Sequence, residues 1–163
     1  MIYVALGANM PSPVGAPAIT LARAVEALPR HGVQVVAVSP FYRSPAWPDP
    51  SEPAYVNAVA EVRTRLGPAV LLRALLAVEK SFGRVRKRAN EPRVLDLDLI
   101  DFGGLISDAE HLMLPHPRMH ERAFVLRPLA DLAPGWRHPD TGQSVSELLG
   151  IVGEVGLEPM EHA

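Results

Sequence analysis

The sequence predicts an α+β fold of order β-α-β-β-α-β, with an antiparallel sheet and helices on one face. Three observations predict it. Short apolar runs of strand length alternate with two apolar stripes of helical period, Gly and Pro punctuate the joins, and residues 55–64 alternate between two faces.

Ile2 to Gly7 is an apolar run ending in Gly-Ala-Asn, which reads as a buried strand and a turn. Residues 18–28 place Leu21, Val25 and Leu28 on one helical stripe, stopped by Pro29 and Gly32. Val33 to Tyr42, rich in valine and aromatics, reads as a second strand. Residues 43–54 contain Pro45, Pro48, Pro50 and Pro53 and read as an irregular loop. Loops of about 12 residues without regular structure are uncommon in compact domains and tend to be functional.

In the third strand Val56, Ala58, Ala60 and Val62 share one face, leaving Tyr55, Asn57 and Val59 on the other. Gly67-Pro68 opens a helix whose stripe is Leu71, Leu75, Val78 and Phe82, with Gly83 as its C-terminal cap. Glu79 borders that stripe as an ordinary acid and is given no chemical role. A basic loop leads into a fourth strand, Val94 to Phe102. Met119 to Leu132 reads as helical despite Pro128, and the tail after Gly150 carries no firm signal.

The chain's 163 residues suit a single domain spanning residues 1–163, with the last eight or so expected to lie outside its ordered part. At that length no second, fused catalytic domain is expected. A chain of this size buries enough surface to need no staple, and the absence of cysteine excludes disulfides, a thiol nucleophile and Cys-based zinc sites. The N-terminus lacks a basic n-region, so cytoplasm is the expectation. The net charge of −2 gives no global signal for nucleic acid or membrane, and a monomer is expected.

Two local patterns carry chemistry. In Arg93-Val94-Leu95-Asp96-Leu97-Asp98-Leu99-Ile100, strand alternation puts Asp96 and Asp98 on one face and the leucines on the other. The aspartate Cα atoms then lie roughly 6.5–7 Å apart. Carboxylates converging to ~4 Å repel by about 4 kcal/mol at an effective dielectric of ~20. Such a pair is solvated, shares a proton or binds a cation, and hard oxygen ligands favour Mg²⁺ or Ca²⁺. The other pattern is the loop from Gly83 to Arg93, where Arg84, Arg86, Lys87, Arg88 and Arg93 crowd beside that strand. Guanidinium groups clamp phosphate oxygens, so cations beside a carboxylate pair point to polyphosphate chemistry without a P-loop. A solvated strand face and a mobile or nucleic-acid-binding loop are the plainer alternatives.

The chain resembles the 6-hydroxymethyl-7,8-dihydropterin pyrophosphokinase family. The likeness runs through Ala5-Leu6-Gly7-Ala8-Asn9, Phe41-Tyr42-Arg43-Ser44-Pro45 and Tyr55-Val56-Asn57-Ala58, then Glu79 and Gly83-Arg84-Val85-Arg86. It continues through Pro92 to Asp98, Pro115-His116, Arg122-Ala123-Phe124 and Pro128-Leu129. Ala8, a basic loop that lacks a tryptophan, and Pro117 depart from the family's usual pattern.

The resemblance implies a three-layer αβα domain on a ferredoxin-like core that transfers the pyrophosphoryl group of ATP to the pterin's hydroxymethyl oxygen in folate biosynthesis. It implies two Mg²⁺ ions on Asp96 and Asp98, with Arg84 and Arg93 on the diphosphoryl group and Arg86 assisting. His116 and Arg122 would meet the nucleotide. Tyr55 and Phe124 would sandwich the pterin, Asn57 would bind its edge, and Ser44, Pro45 and Trp47 would complete the pocket. A ligand- or RNA-binding module and a phosphohydrolase using the same acidic pair are the competing readings.

Overall fold

The computed structural model describes residues 1–46, 49–83 and 94–160. Trp47 and the basic loop from Arg84 to Arg93 lie outside them, as do the last three residues. Strand β1 (Ile2–Ala8) leads to helix α1 (Pro17–Ala27) and then to β2 (Val33–Val38) and β3 (Tyr42–Ser44). Next come β4 (Tyr55–Thr64), α2 (Pro68–Ser81) and β5 (Asp96–Phe102). A small hairpin, β6 (Ser107–Ala109) with β7 (Leu112–Leu114), precedes α3 (Ala123–Leu132), α4 (Val145–Val152) and β8 (Glu158–Pro159).

The main sheet is antiparallel, in the order β5-β1-β4-β3-β8, with β2 also on β4. β2 pairs with the second half of β4 and β3 with its beginning, so together they supply the fourth strand of a ferredoxin-like core. The strand expected over residues 33–42 is therefore two strands. Pro40 has no N–H to give the ladder. Beside it, Ser39 replaces regular pairing: its N–H donates to Val59 O, and its Oγ accepts from Val59 N, both at 2.9 Å.

Alternation along the strands fills two cores. One holds Leu6, Val56, Ala58 and Leu97 against Leu21 of α1 and Leu75 of α2. The other holds Tyr3, Val59 and Ile100 against Leu126 and Leu129 of α3 and Leu148 of α4. Helices thus cover both faces, correcting the one-sided arrangement read from element order and giving the three layers that the resemblance implies. α4, which had no counterpart in the sequence reading, is capped by Ser144, whose Oγ accepts from Glu147 N at 3.1 Å. The helix expected from Met119 breaks at Arg122, whose extended backbone separates a 3₁₀ turn (Met119–Glu121) from α3. The tail beyond Gly150 runs on through β8 to Met160, whose N–H donates to Phe41 O at 2.9 Å. Among the described residues, no helix is long and apolar enough to cross a membrane.

A bulge in β5 positions the second helical layer. Val4 pairs with Leu99 and Tyr3 with Asp101, so Ile100 is the extra residue. Strict alternation would put Asp101 with the leucines; the bulge returns it to the face of Tyr3. There its buried carboxylate accepts from Trp136 Nε1 and from Gly104 N, each at 2.9 Å. Trp136 in turn meets the edge of His138, which faces His120 on its other side.

His138 is buried and its Nδ1 accepts from the N–H groups of Asp140 and Thr141, both at 3.2 Å. Burial and His120 lower its pKa, against the opposing pull of Asp140 and Asp101. A histidine depressed on folding takes up its proton first in the unfolded chain, so stability falls as pH drops below ~6.5. Urea denaturation should show stability declining from pH 7 to pH 5, with a shallower decline in His138→Asn.

Candidate active site

The aspartate pair owes its setting to the leucines between and around it. Leu95, Leu97 and Leu99 are buried in the first core, which turns Asp96 and Asp98, both half-buried, to the opposite face. Opposite them in register on β1 stand Gly7 and Ala5, small residues that leave room above the sheet. β5 is an edge strand, and its outward Leu97 N–H is met from α2: Glu79 Oε2 accepts it at 2.7 Å. Glu79 is 2 % exposed. The ordinary bordering acid of the sequence reading is thus a buried brace on the backbone between the two aspartates. Its signal was spacing, since it falls four residues after Leu75 and continues the stripe.

A cleft of about 480 Å³ opens over this face. Asp96, Asp98, His116 and Arg122 line it, with Tyr55, Asn57, Phe124, Ser44 and Pro45. Every candidate site residue that lies within the described part of the chain therefore reaches one cavity, from five separate segments. Arg84, Arg86, Arg93 and Trp47 fall outside the described residues. Arg118, Glu121, Val155 and Leu157 also line the cleft, and the sequence reading singled out none of them.

At one end of the cleft the chemistry is aromatic and amide. Tyr55 and Asn57 share a face of β4, and Asn57 is buried with its Nδ2 donating to Ser44 Oγ at 2.8 Å. Gly7 pairs with Asn57, and a Cβ there would come within 3.3 Å of Asn57 Oδ1, so glycine lets the amide sit against β1. Asn9 Nδ2 donates to Pro53 O at 3.1 Å and ties the end of β1 to the proline-rich loop. Phe124 opens α3, and the Arg122 guanidinium lies 5.6 Å from its ring centroid.

At the other end His116 donates its backbone N–H to Ile100 O at 2.9 Å. Its Nδ1 accepts from Arg118 N at 3.2 Å. Burial, with Arg122 and Arg118 beside it, outweighs the pull of Asp96 and holds the imidazole at a pKa of about 4. The ring is neutral at pH 7, and with Nδ1 accepting, its proton sits on Nε2 as a donor. A second cavity of about 190 Å³, with Leu72, Leu99, Leu112 and Leu114 in its walls, shares Asp98 and His116 with the first.

Among the described residues, no three His, Asp or Glu side chains gather as a protein-only metal cage. Two half-buried carboxylates on one face fit a hard cation that takes its remaining oxygens from a bound substrate, which is how Mg²⁺ is commonly held.

Fold and site together define a ferredoxin-like α+β domain with an acidic pair where two cavities meet. The profile of the 7,8-dihydro-6-hydroxymethylpterin-pyrophosphokinase (HPPK) family matches residues 3–134, and the chain belongs to that family of diphosphotransferases. A relative from Pseudomonas aeruginosa, named 2-amino-4-hydroxy-6-hydroxymethyldihydropteridine pyrophosphokinase, is 44% identical over 162 residues, 99% of this chain and 98% of its own. One of the same name from Methylorubrum extorquens is 41% identical over 160 residues, 98% of each. The solved Plasmodium falciparum HPPK-DHPS superposes with a TM-score of 0.70 at 12% identity over 92% of this chain, which spans 44% of that longer one. That likeness is one of fold.

Replacing Glu79 by leucine leaves the Leu97 N–H without its acceptor and should lower stability by about 1–3 kcal/mol in chemical denaturation. Glu79→Gln keeps an acceptor oxygen and should avoid most of that loss.

Proposed function

We propose that the cleft binds ATP and 6-hydroxymethyl-7,8-dihydropterin side by side and transfers the pyrophosphoryl group between them. What supports this reading, beyond family membership, is one observation: the acidic pair, the neutral histidine and the aromatic–amide end line a single cavity. The flat ring lies between Tyr55 and Phe124, where stacking of this kind is worth ~1–3 kcal/mol in nucleobase systems. Asn57, fixed by Ser44, hydrogen-bonds the ring's edge, Ser44 and Pro45 line that side, and Trp47, outside the described residues, is assigned to the same pocket by the family resemblance.

The nucleotide's adenosine end occupies the smaller, leucine-lined cavity, because Asp98 and His116 border both spaces and its phosphates must run past them. Asp96 and Asp98 hold Mg²⁺, two ions in this reading, which when bound neutralises phosphate charge and aligns the chain of phosphates. His116 gives its Nε2–H to a phosphate oxygen. Arg122, Arg84 and Arg93, with Arg86 assisting, balance the charge of the diphosphoryl group in transfer.

The hydroxymethyl oxygen attacks the β-phosphorus in line, forming a P–O bond as the bond from that phosphorus to the α–β bridging oxygen breaks. AMP departs with the bridging oxygen, and the hydroxyl proton is lost to solvent or substrate. Positioning and electrostatics carry the rate. The smaller cavity and the cleft suit two small molecules, and no nucleic-acid or membrane partner enters this reading. The protein acts as a cytoplasmic monomer, one domain sufficing.

Asp98→Ala should abolish AMP formation from MgATP and the reduced pterin, at least a thousandfold, with an unchanged circular dichroism spectrum. Wild-type protein should form AMP only when the pterin is present. Pterin-independent phosphate release would favour a phosphohydrolase, and an active Asp98→Ala protein would remove the metal assignment.

A further inference from the structure

The cleft has a wall that comes from beyond the part of the chain matched to the family. After α4 the backbone turns at Gly153 and makes a second turn in which Leu157 N–H donates to Glu154 O at 3.1 Å. It then pairs as β8 with β3, the strand that ends in Ser44. Arg127 of α3 reaches Glu154 at 3.6 Å and Asp131 at 2.8 Å. Tyr42 of β3 donates its hydroxyl to the same Asp131. Burial and that carboxylate push the Tyr42 hydroxyl up to about 12, so it remains a donor across the working pH range. The turn is therefore fastened on both sides, to the sheet and to α3.

What the fastened turn presents to the cleft is apolar. Val155 and Leu157 both line it, together with Pro45, Tyr55 and Phe124. Val155 is fully exposed, an arrangement that gains nothing from folding and becomes favourable only when something apolar covers the side chain. Between the two, Gly156 has φ +80°, and a Cβ there would stand 3.0 Å from Pro45 Cγ. Only glycine lets the turn lie this close to the proline, for reasons of both space and backbone conformation.

We propose that the turn Glu154–Leu157 is a further wall of the heterocycle's end of the cleft, and that Val155 packs against the bound pterin as a specificity-determining contact. The inference rests on the assignment of that end to the pterin. It implies that part of the substrate affinity comes from a C-terminal segment outside residues 3–134, the matched region.

Steady-state kinetics on the full chain test it, varying the pterin at saturating MgATP and the reverse. Val155→Ser should raise KM for the pterin about threefold and Val155→Asp about tenfold, with KM for ATP within a factor of two. Gly156→Ala should raise the pterin KM as well. Ile151→Ser, at an exposed position of α4 outside the cleft, should change neither constant. Phe124→Ala reports on the underlying reading. If it raises the pterin KM while both Val155 variants match wild type, the wall is refuted and the pterin site stands. If neither position affects the pterin KM, both fall. Equal rises in the two KM values for the Val155 variants would also overturn the proposal, since they would mark a general disturbance.

Discussion

Like charges held on one face of an edge strand are the constraint around which this molecule is arranged. Burial of Leu95, Leu97 and Leu99 fixes the rotation of β5, and that rotation obliges Asp96 and Asp98 to share a face. Neither carboxylate can turn away without exposing a leucine, and each leucine's burial is worth roughly 1.5–3 kcal/mol. The hydrophobic core thus maintains an electrostatic conflict of the kind that a hard divalent cation relieves. Glu79 adds to this from α2, on the same side as the leucines, by tethering the backbone between the aspartates.

The surroundings treat the two ends of the cleft differently. Near the aspartates the groups are charged or hydrogen-bonding, and burial with Arg122 and Arg118 beside it holds His116 neutral. Near Tyr55 and Phe124 the walls are flat or aliphatic, with the Asn57 amide buried among them and oriented by Ser44. Five segments supply the two ends: β3, β4, β5, the stretch at His116 after β7 and the start of α3 carry the named side chains. The segments that fall between them, the proline-rich loop and the C-terminal turn, complete the enclosure.

Much of this was legible in the sequence because it follows from alternation. The faces of β4, the stripe of α2 and the parity of Asp96 with Asp98 all come from periods of 2 and 3.6 residues, and burial enforces those periods. What was not legible came from events that break the period or depend on distant partners. The Ile100 bulge moves Asp101 to the other face, where Trp136 meets it. Pro40 splits one expected strand into two, and Arg122 interrupts an expected helix. Glu79 was misjudged because acids beside an apolar stripe are usually solvated, and nothing local signals the strand N–H that receives it. The last turn had no signal at all: Val155 and Gly156 acquire meaning only through Pro45 and the cleft, more than a hundred residues away in the chain.

The central claim is that Asp96 and Asp98 hold a divalent ion jointly with the nucleotide's phosphates. Binding of Mn²⁺, followed by electron paramagnetic resonance with and without a non-hydrolysable ATP analogue, tests it most directly. The account predicts tight Mn²⁺ binding that requires the analogue and weakens at least tenfold in Asp98→Asn. Wild-type affinity for the metal–nucleotide pair in that variant would contradict it.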